Sequence, residues 1–135
     1  MRSRPGWWIS VCMLTVPLAA AAHHSLSGIY DSSRQTTVEG VVAQFHFVNP
    51  HPFLMIDVPT RDGVQRWRLE MDNRSELTEI GMTGETLKPG DRVVATGSPG
   101  REQPRSLYIR MLERPADGFK YEQVGSTPRI SAKSR

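Results

Sequence analysis

TTVEGVVAQFHFV, running from Thr36 to Val48, is dense in β-branched and aromatic residues and reads as one long strand with Gly40 near its start. Val38, Val42 and Val48 share one parity, and Val41, Phe45 and Phe47 share the other. Apolar groups on both faces, with a glycine to relieve a bend or bulge, predict a strand serving two sheets of a small closed barrel.

Asn49-Pro50-His51-Pro52 ends the strand, because two prolines remove ladder donors and force a loop. Phe53 to Val58 reads as a second strand, Pro59 to Gly63 as a turn containing Asp62-Gly63, and Val64 to Glu70 as a third strand. The period then changes. Asn73 followed by Glu76 resembles a capping box, Leu77 and Ile80 fit one helical face, and Gly81 fits a helix end. A helix of about two turns follows, with Thr83 to Leu87 able to add another. Lys88-Pro89-Gly90-Asp91 launches a fourth strand, Arg92 to Gly97; Ser98 to Pro104 is a polar loop, and Ser106 to Glu113 is a fifth strand. Beyond Gly118 the periodicity fades.

Three strands, a short helix and two strands predict a mainly β fold, a five-stranded OB-like barrel with one short helix between strands 3 and 4. Another small five- or six-stranded barrel is the alternative. The expected partition is a signal peptide over 1–22, an N-terminal segment over 23–35, the barrel over 36–117 and a flexible tail over 118–135.

The leader is read from Arg2 and Arg4, a short apolar run from Trp7 to Leu18 broken by Pro17, and Ala19 to Ala22, which offers A-x-A cleavage sites. The run is too short for a spanning helix, which needs ~20 residues. Cleavage predicts a periplasmic or secreted protein that is not integral to the membrane. Cys12, the one cysteine, falls inside the leader, so the mature chain lacks thiolate chemistry and disulfides. Removing Arg2 and Arg4 from the 17 basic residues leaves 15 against 14 acidic ones, a net charge of about +1. With its charges scattered, such a chain is not expected to bind nucleic acid. At 135 residues the chain is one small domain.

Ala22-His23-His24-Ser25, Thr37 to Val42, Val48-Asn49-Pro50-His51 and Leu87 to Val93, with its L-K-P-G-D, resemble a family of small exported bacterial proteins, domain of unknown function six-one-five-two. The likeness spans roughly His23 to Arg114. It implies an exported barrel and supplies no activity.

Chemistry is concentrated in four histidines, His23, His24, His46 and His51. Cleavage after Ala22 would leave His23 with a free α-amine and an imidazole, and a third nitrogen from His51 or His46 would complete a T-shaped Cu(II) site. Cleavage after Ala21 would put His24 third, where amine, two amide nitrogens and imidazole form a square-planar site. Nitrogen donors favour copper, and their affinity should fall with pH as they protonate. His23, His24 and His51 are therefore the candidate metal ligands and Cu(II) the one cofactor suggested. The competing readings are an incidental terminal histidine pair, a His51 that only bonds the turn backbone, and a structural His46.

Asp57, Glu70 and Asp72 are the carboxylates nearest a prospective site, and solvation at the surface accounts for them more simply than catalysis. No nucleophile turn, phosphate loop or zinc motif is present, so no enzyme is expected. OB-type barrels bind across strands two and three. Here that face offers Phe53, Met55, Trp67 and the His51 loop, with Arg66 and Arg68 on the parity opposite Trp67. Phe53, Trp67, Arg66 and Arg68 could stack on a planar ligand, although Trp67 and Leu69 also suit a core. The expectation is a monomeric or weakly associating binding or accessory module of the envelope, its partner a small molecule or an envelope protein.

Overall fold

The computed structural model describes residues 26–132. A helical turn over 26–29 leads to Tyr30, which bridges to Gly100. Seven strands and one helix follow: β1 Thr36–His46, β2 Phe53–Thr60, β3 Gly63–Glu70, α1 Arg74–Glu79, β4 Arg92–Pro99, β5 Ser106–Arg114, β6 Phe119–Val124 and β7 Thr127–Ser131. The sheet runs β3-β2-β1-β4-β5-β6-β7, and a parallel pairing of β3 with β5 closes β1 to β5 into a barrel. This is the order of an OB-type barrel, with the helix between β3 and β4.

β1 is the shared strand. Thr36 to Val41 pair with β4, and Val41 to His46 pair with β2. Its two apolar parities belong to successive halves of the strand and do not make two buried faces. Val38 and Val42 point inward, a bulge between Val42 and Gln44 shifts the alternation, and Phe45 then packs against the core. Val41 and Val48 are consequently 43% and 46% exposed. The bulge falls at Ala43, away from Gly40. Gly40 instead allows a close approach, since a Cβ there would lie 2.6 Å from the Asp57 carbonyl oxygen.

The interior is filled by Val42, Leu54, Ile56, Leu69, Val93, Leu107, Ile109 and Leu112, drawn from all five barrel strands. Each such side chain contributes roughly 1.5–3 kcal/mol by leaving water. α1 closes one end through Leu77. Asn73 caps it, its Oδ1 accepting from the Glu76 N–H at 3.0 Å. At the other end Gly81 takes a left-handed φ of 93°, with Gly81 N–H donating to Thr78 and Met82 N–H to Leu77. That pattern is a Schellman cap, and its accompanying contact joins two buried residues, Leu77 and Met82.

The flexible tail expected over 118–135 is corrected. Phe119–Val124 and Thr127–Ser131 form a hairpin through a two-residue Gly125-Ser126 loop, and β6 adds to the outer edge of β5. Phe119 and Tyr121 alternate inward and join the core, while Ile130 packs against it and β7 rests on α1. The alternation lasts too few residues to stand out from a polar, basic background. The 1–22 leader, His23 and His24 lie outside the described residues.

Candidate functional site

A cavity of about 620 Å³ opens between the β1–β2 loop and the residues that follow β3. Its wall comes from six separate segments, among them Asp72, Asn73 and Glu76 after β3 and Ser98 on β4. Leu26 and Ser27 stand at the N-terminal side, Pro50 and His51 in the β1–β2 loop, Tyr108 and Arg110 on β5, and Gly125 and Ser126 at the hairpin turn.

The β1–β2 loop is stitched to the β3–α1 junction. Pro50 carbonyl accepts from Arg74 N–H and Pro52 carbonyl from Met71 N–H, both at 2.9 Å, and Asn49–Pro50 is cis. His51 returns the contact: its Nδ1 lies 3.1 Å from the Met71 carbonyl oxygen. A carbonyl only accepts, so Nδ1 carries the hydrogen and Nε2 carries the lone pair in the neutral ring.

Beside His51, Asp72 lies at the cavity floor, 6% exposed. Its carboxylate collects three donors: Tyr108 hydroxyl on Oδ1 at 2.5 Å, Gln123 amide on Oδ1 at 2.6 Å and Tyr121 hydroxyl on Oδ2 at 3.0 Å. Gln123 is itself oriented by Arg110, which donates to its amide oxygen, leaving the amide nitrogen for Asp72. A buried carboxylate is tolerated when its oxygens are satisfied in this way. Burial first, then the bond to Asp72, pushes the Tyr108 hydroxyl well above the usual phenol range; burial and then the Asp72 charge do the same to Tyr121. Tyr30 donates to Glu70 Oε2 at 2.8 Å and packs on Tyr108 with ring centroids 5.6 Å apart, and its hydroxyl is raised mainly by burial. All three tyrosines therefore stay protonated donors at neutral pH.

The residues expected to bind ligand are divided by the barrel wall. Trp67, paired with Ile56, turns inward against the core, with its Nε1 buried and unpartnered. Phe53 and Arg68 lie together outside, the Arg68 guanidinium 3.5 Å from the centre of the Phe53 ring. Arg66 is engaged by Asp57 through two bonds of 2.8 and 2.9 Å. His46 stacks on Phe53 at 4.5 Å and its Nε2 donates to Gln44 at 3.0 Å. The outer stack is thus saturated by its own members, and Trp67 does not meet Phe53 across it. Among the carboxylates, Asp72 is buried and Glu70 is bonded to Tyr30, correcting the expectation of surface solvation for these two. Sequence reasoning misses Tyr108, Tyr121, Gln123 and Arg110. The requirement that a buried tyrosine find an acceptor is the available signal, and it needs β6 to be read as a strand.

Among the described residues no group of three His, Cys, Asp or Glu side chains is arranged to hold a metal ion. Nor is any helix there long and apolar enough to cross a membrane.

Fold and cavity together define a small OB-type barrel with a pocket beside its β1–β2 loop. The chain belongs to a family of unknown function, DUF6152, whose model matches residues 11–107. No curated protein matches the chain. Crystal structures of TiaS, a tRNA agmatidine synthetase, without ligand and in complex with tRNA and ATP, each align at 13% identity and a TM-score of 0.43. They cover 78% of this chain, which spans 30% of that enzyme, and nothing is transferred at that level of likeness.

Proposed function

We propose that the protein is an exported, non-catalytic binding or accessory module of the bacterial cell envelope, with its ligand held in the cavity beside His51. The observation that supports this is how the cavity is made. Six segments separated in sequence converge there, and the charged group at its floor, Asp72, is already held by Tyr108, Tyr121 and Gln123. A carboxylate tied down by three donors suits a fixed wall better than a proton shuttle, which must exchange partners during turnover. A lining that mixes apolar surface from Leu26, Pro50 and Tyr108 with the polar groups of His51, Arg110 and Ser126 suits a small amphipathic ligand. The Phe53 and Arg68 face is a poorer candidate, since its stacking surfaces already cover one another.

The test is native mass spectrometry of the protein taken from its own envelope, beside a Ser126→Trp variant that fills the turn side of the cavity. A species carried by the wild type and missing from the variant is expected, on a chain beginning near His23. Recovery from the cytosol with Met1 attached would overturn the export reading. A turnover abolished by Asp72→Asn in a folded protein would overturn the non-catalytic one.

A further inference from the structure

We infer that the cavity ligand is a small organic acid bearing one carboxylate, which pairs with the guanidinium of Arg110 and the hydroxyl of Ser98. The inference rests on the binding-module reading and gives that site its ligand class.

The backbone sets Arg110 apart. Between Thr96 and Gly97 the register of β4 against β5 slips: Met111 pairs with Thr96 and Ile109 with Gly97, so Arg110 has no residue opposite it. Such a bulge re-aims the side chain it carries. Gly97 permits it, since a Cβ there would collide with the Tyr108 carbonyl oxygen. Leu107, Ile109 and Leu112 turn into the core, while Tyr108 and Arg110 line the cavity.

The guanidinium is positioned without being neutralised. It donates to Gln123 Oε1 and lies 5.5 Å from the centre of the Tyr108 ring. Among the described residues no carboxylate pairs with it. Arg114, further along the same strand, is instead bonded to Asp91, Asp117 and the Thr86 carbonyl. Asp72, the nearby carboxylate, has both oxygens taken by Tyr108, Tyr121 and Gln123. A half-buried cation with N–H donors to spare calls for an acceptor.

Ser98 supplies a second donor. It is 3% exposed, lines the cavity and pairs across the sheet with Tyr108, and its hydroxyl has no partner among the described residues. Among those residues Trp67 Nε1 alone is both sealed from solvent and unpartnered, so the Ser98 hydroxyl opens onto the cavity. A guanidinium and a hydroxyl together match the planar oxygens of a carboxylate. Asp72 and Glu76 stand in the same wall, and their charges disfavour a phosphate ester, which brings nearly twice the negative charge. Leu26, Pro50 and Tyr108 offer surface to an apolar body behind the acid group.

The experiment titrates the protein, purified from isotope-labelled cells, with acetate, benzoate, phenylacetate and hexanoate, each beside its carboxamide, and with phenyl phosphate, reading amide resonances. At least one carboxylate should move Ser98, Arg110 and Gln123 and bind about tenfold more tightly than its carboxamide. Arg110→Gln should abolish that preference, Ser98→Ala should weaken binding about threefold, and Arg66→Gln on the outer face should leave it unchanged. The preference is read on the wild type, so it decides the question even if Arg110→Gln fails to fold. Equal binding of acid and carboxamide, tighter binding of phenyl phosphate, or a preference that survives in folded Arg110→Gln would overturn the carboxylate site. Cavity amides that no carboxylate shifts up to about 10 mM would also overturn it. In that event a species carried by the wild type and missing from Ser126→Trp would keep the binding module, and its absence would remove both.

Discussion

The barrel of β1 to β5 and the hairpin of β6 and β7 are held by different physics. The barrel interior is filled mainly by apolar side chains, and its strands are secured by the area they take from water. The hairpin contributes two aromatic side chains to that core, but its position is fixed by polar groups. Tyr121 and Gln123 bond Asp72, and Arg114 at the end of β5 reaches Asp91, Thr86 and Asp117. A core of undirected contacts makes a barrel; directed bonds decide where an appended hairpin sits. The cavity exists because of the second kind, since the Gly125-Ser126 turn forms one of its walls.

Deleting residues 118–135 should have the largest effect. It removes Phe119, Tyr121 and the partners of Asp72, at a cost on the order of 5 kcal/mol, comparable to the whole stability of a small domain. Urea denaturation checks this; a truncated chain that unfolds at the wild-type midpoint would show the barrel to be independent of the hairpin. Next, Leu69→Ala in the barrel should cost about 3 kcal/mol, and Asp72→Ala about 2 kcal/mol by stranding the Tyr108 and Tyr121 hydroxyls. The two should differ in kind. Leu69→Ala lowers the stability of all strands together, while Asp72→Ala should raise hydrogen exchange first in β6 and β7.

Alkali should sharpen the contrast further. Tyr30, Tyr108 and Tyr121, the only tyrosines of the chain, have hydroxyls raised in the folded state, so the stability they contribute is complete below the unfolded value near 10 and falls as pH rises above it. Phenolate absorbance should therefore appear together with unfolding, not as a separate titration of the native protein. The smallest effect is expected in acid. Arg114 bonds hold the Asp117 carboxyl below its usual range, and Lys120 does the same for Glu122. Depressed carboxyls give stability that is present above their unfolded values near 4 and is lost as pH falls below them. Exchange in the hairpin should quicken at pH ~3 before the barrel responds, and Asp117→Asn should flatten that response.

The same contrast explains what can be read from sequence. β1 to β5 and α1 are legible because alternation, caps and Pro-Gly turns are local signals, and the Asn73 cap and Gly81 stop are encoded within ten residues. The bulge at Ala43 is not legible, because a parity change only shows against the partner strand. Asp72 stands out as a carboxylate, yet its burial depends on partners 36, 49 and 51 residues away. No local pattern carries that information. As sequence, Trp67 suits a core better than a binding face, and it does pack against the core, paired opposite Ile56.

β7 forms the outer margin of the sheet. Val124 and Thr127 close the hairpin turn, so alternation points the backbone of the next β7 residue, Pro128, away from β6 and toward the free edge. Proline has no N–H to offer there, and Arg129 follows with a cation. An incoming chain trying to extend the sheet would meet a missing donor and a charge, so this margin guards a protein otherwise built of strands against filament growth.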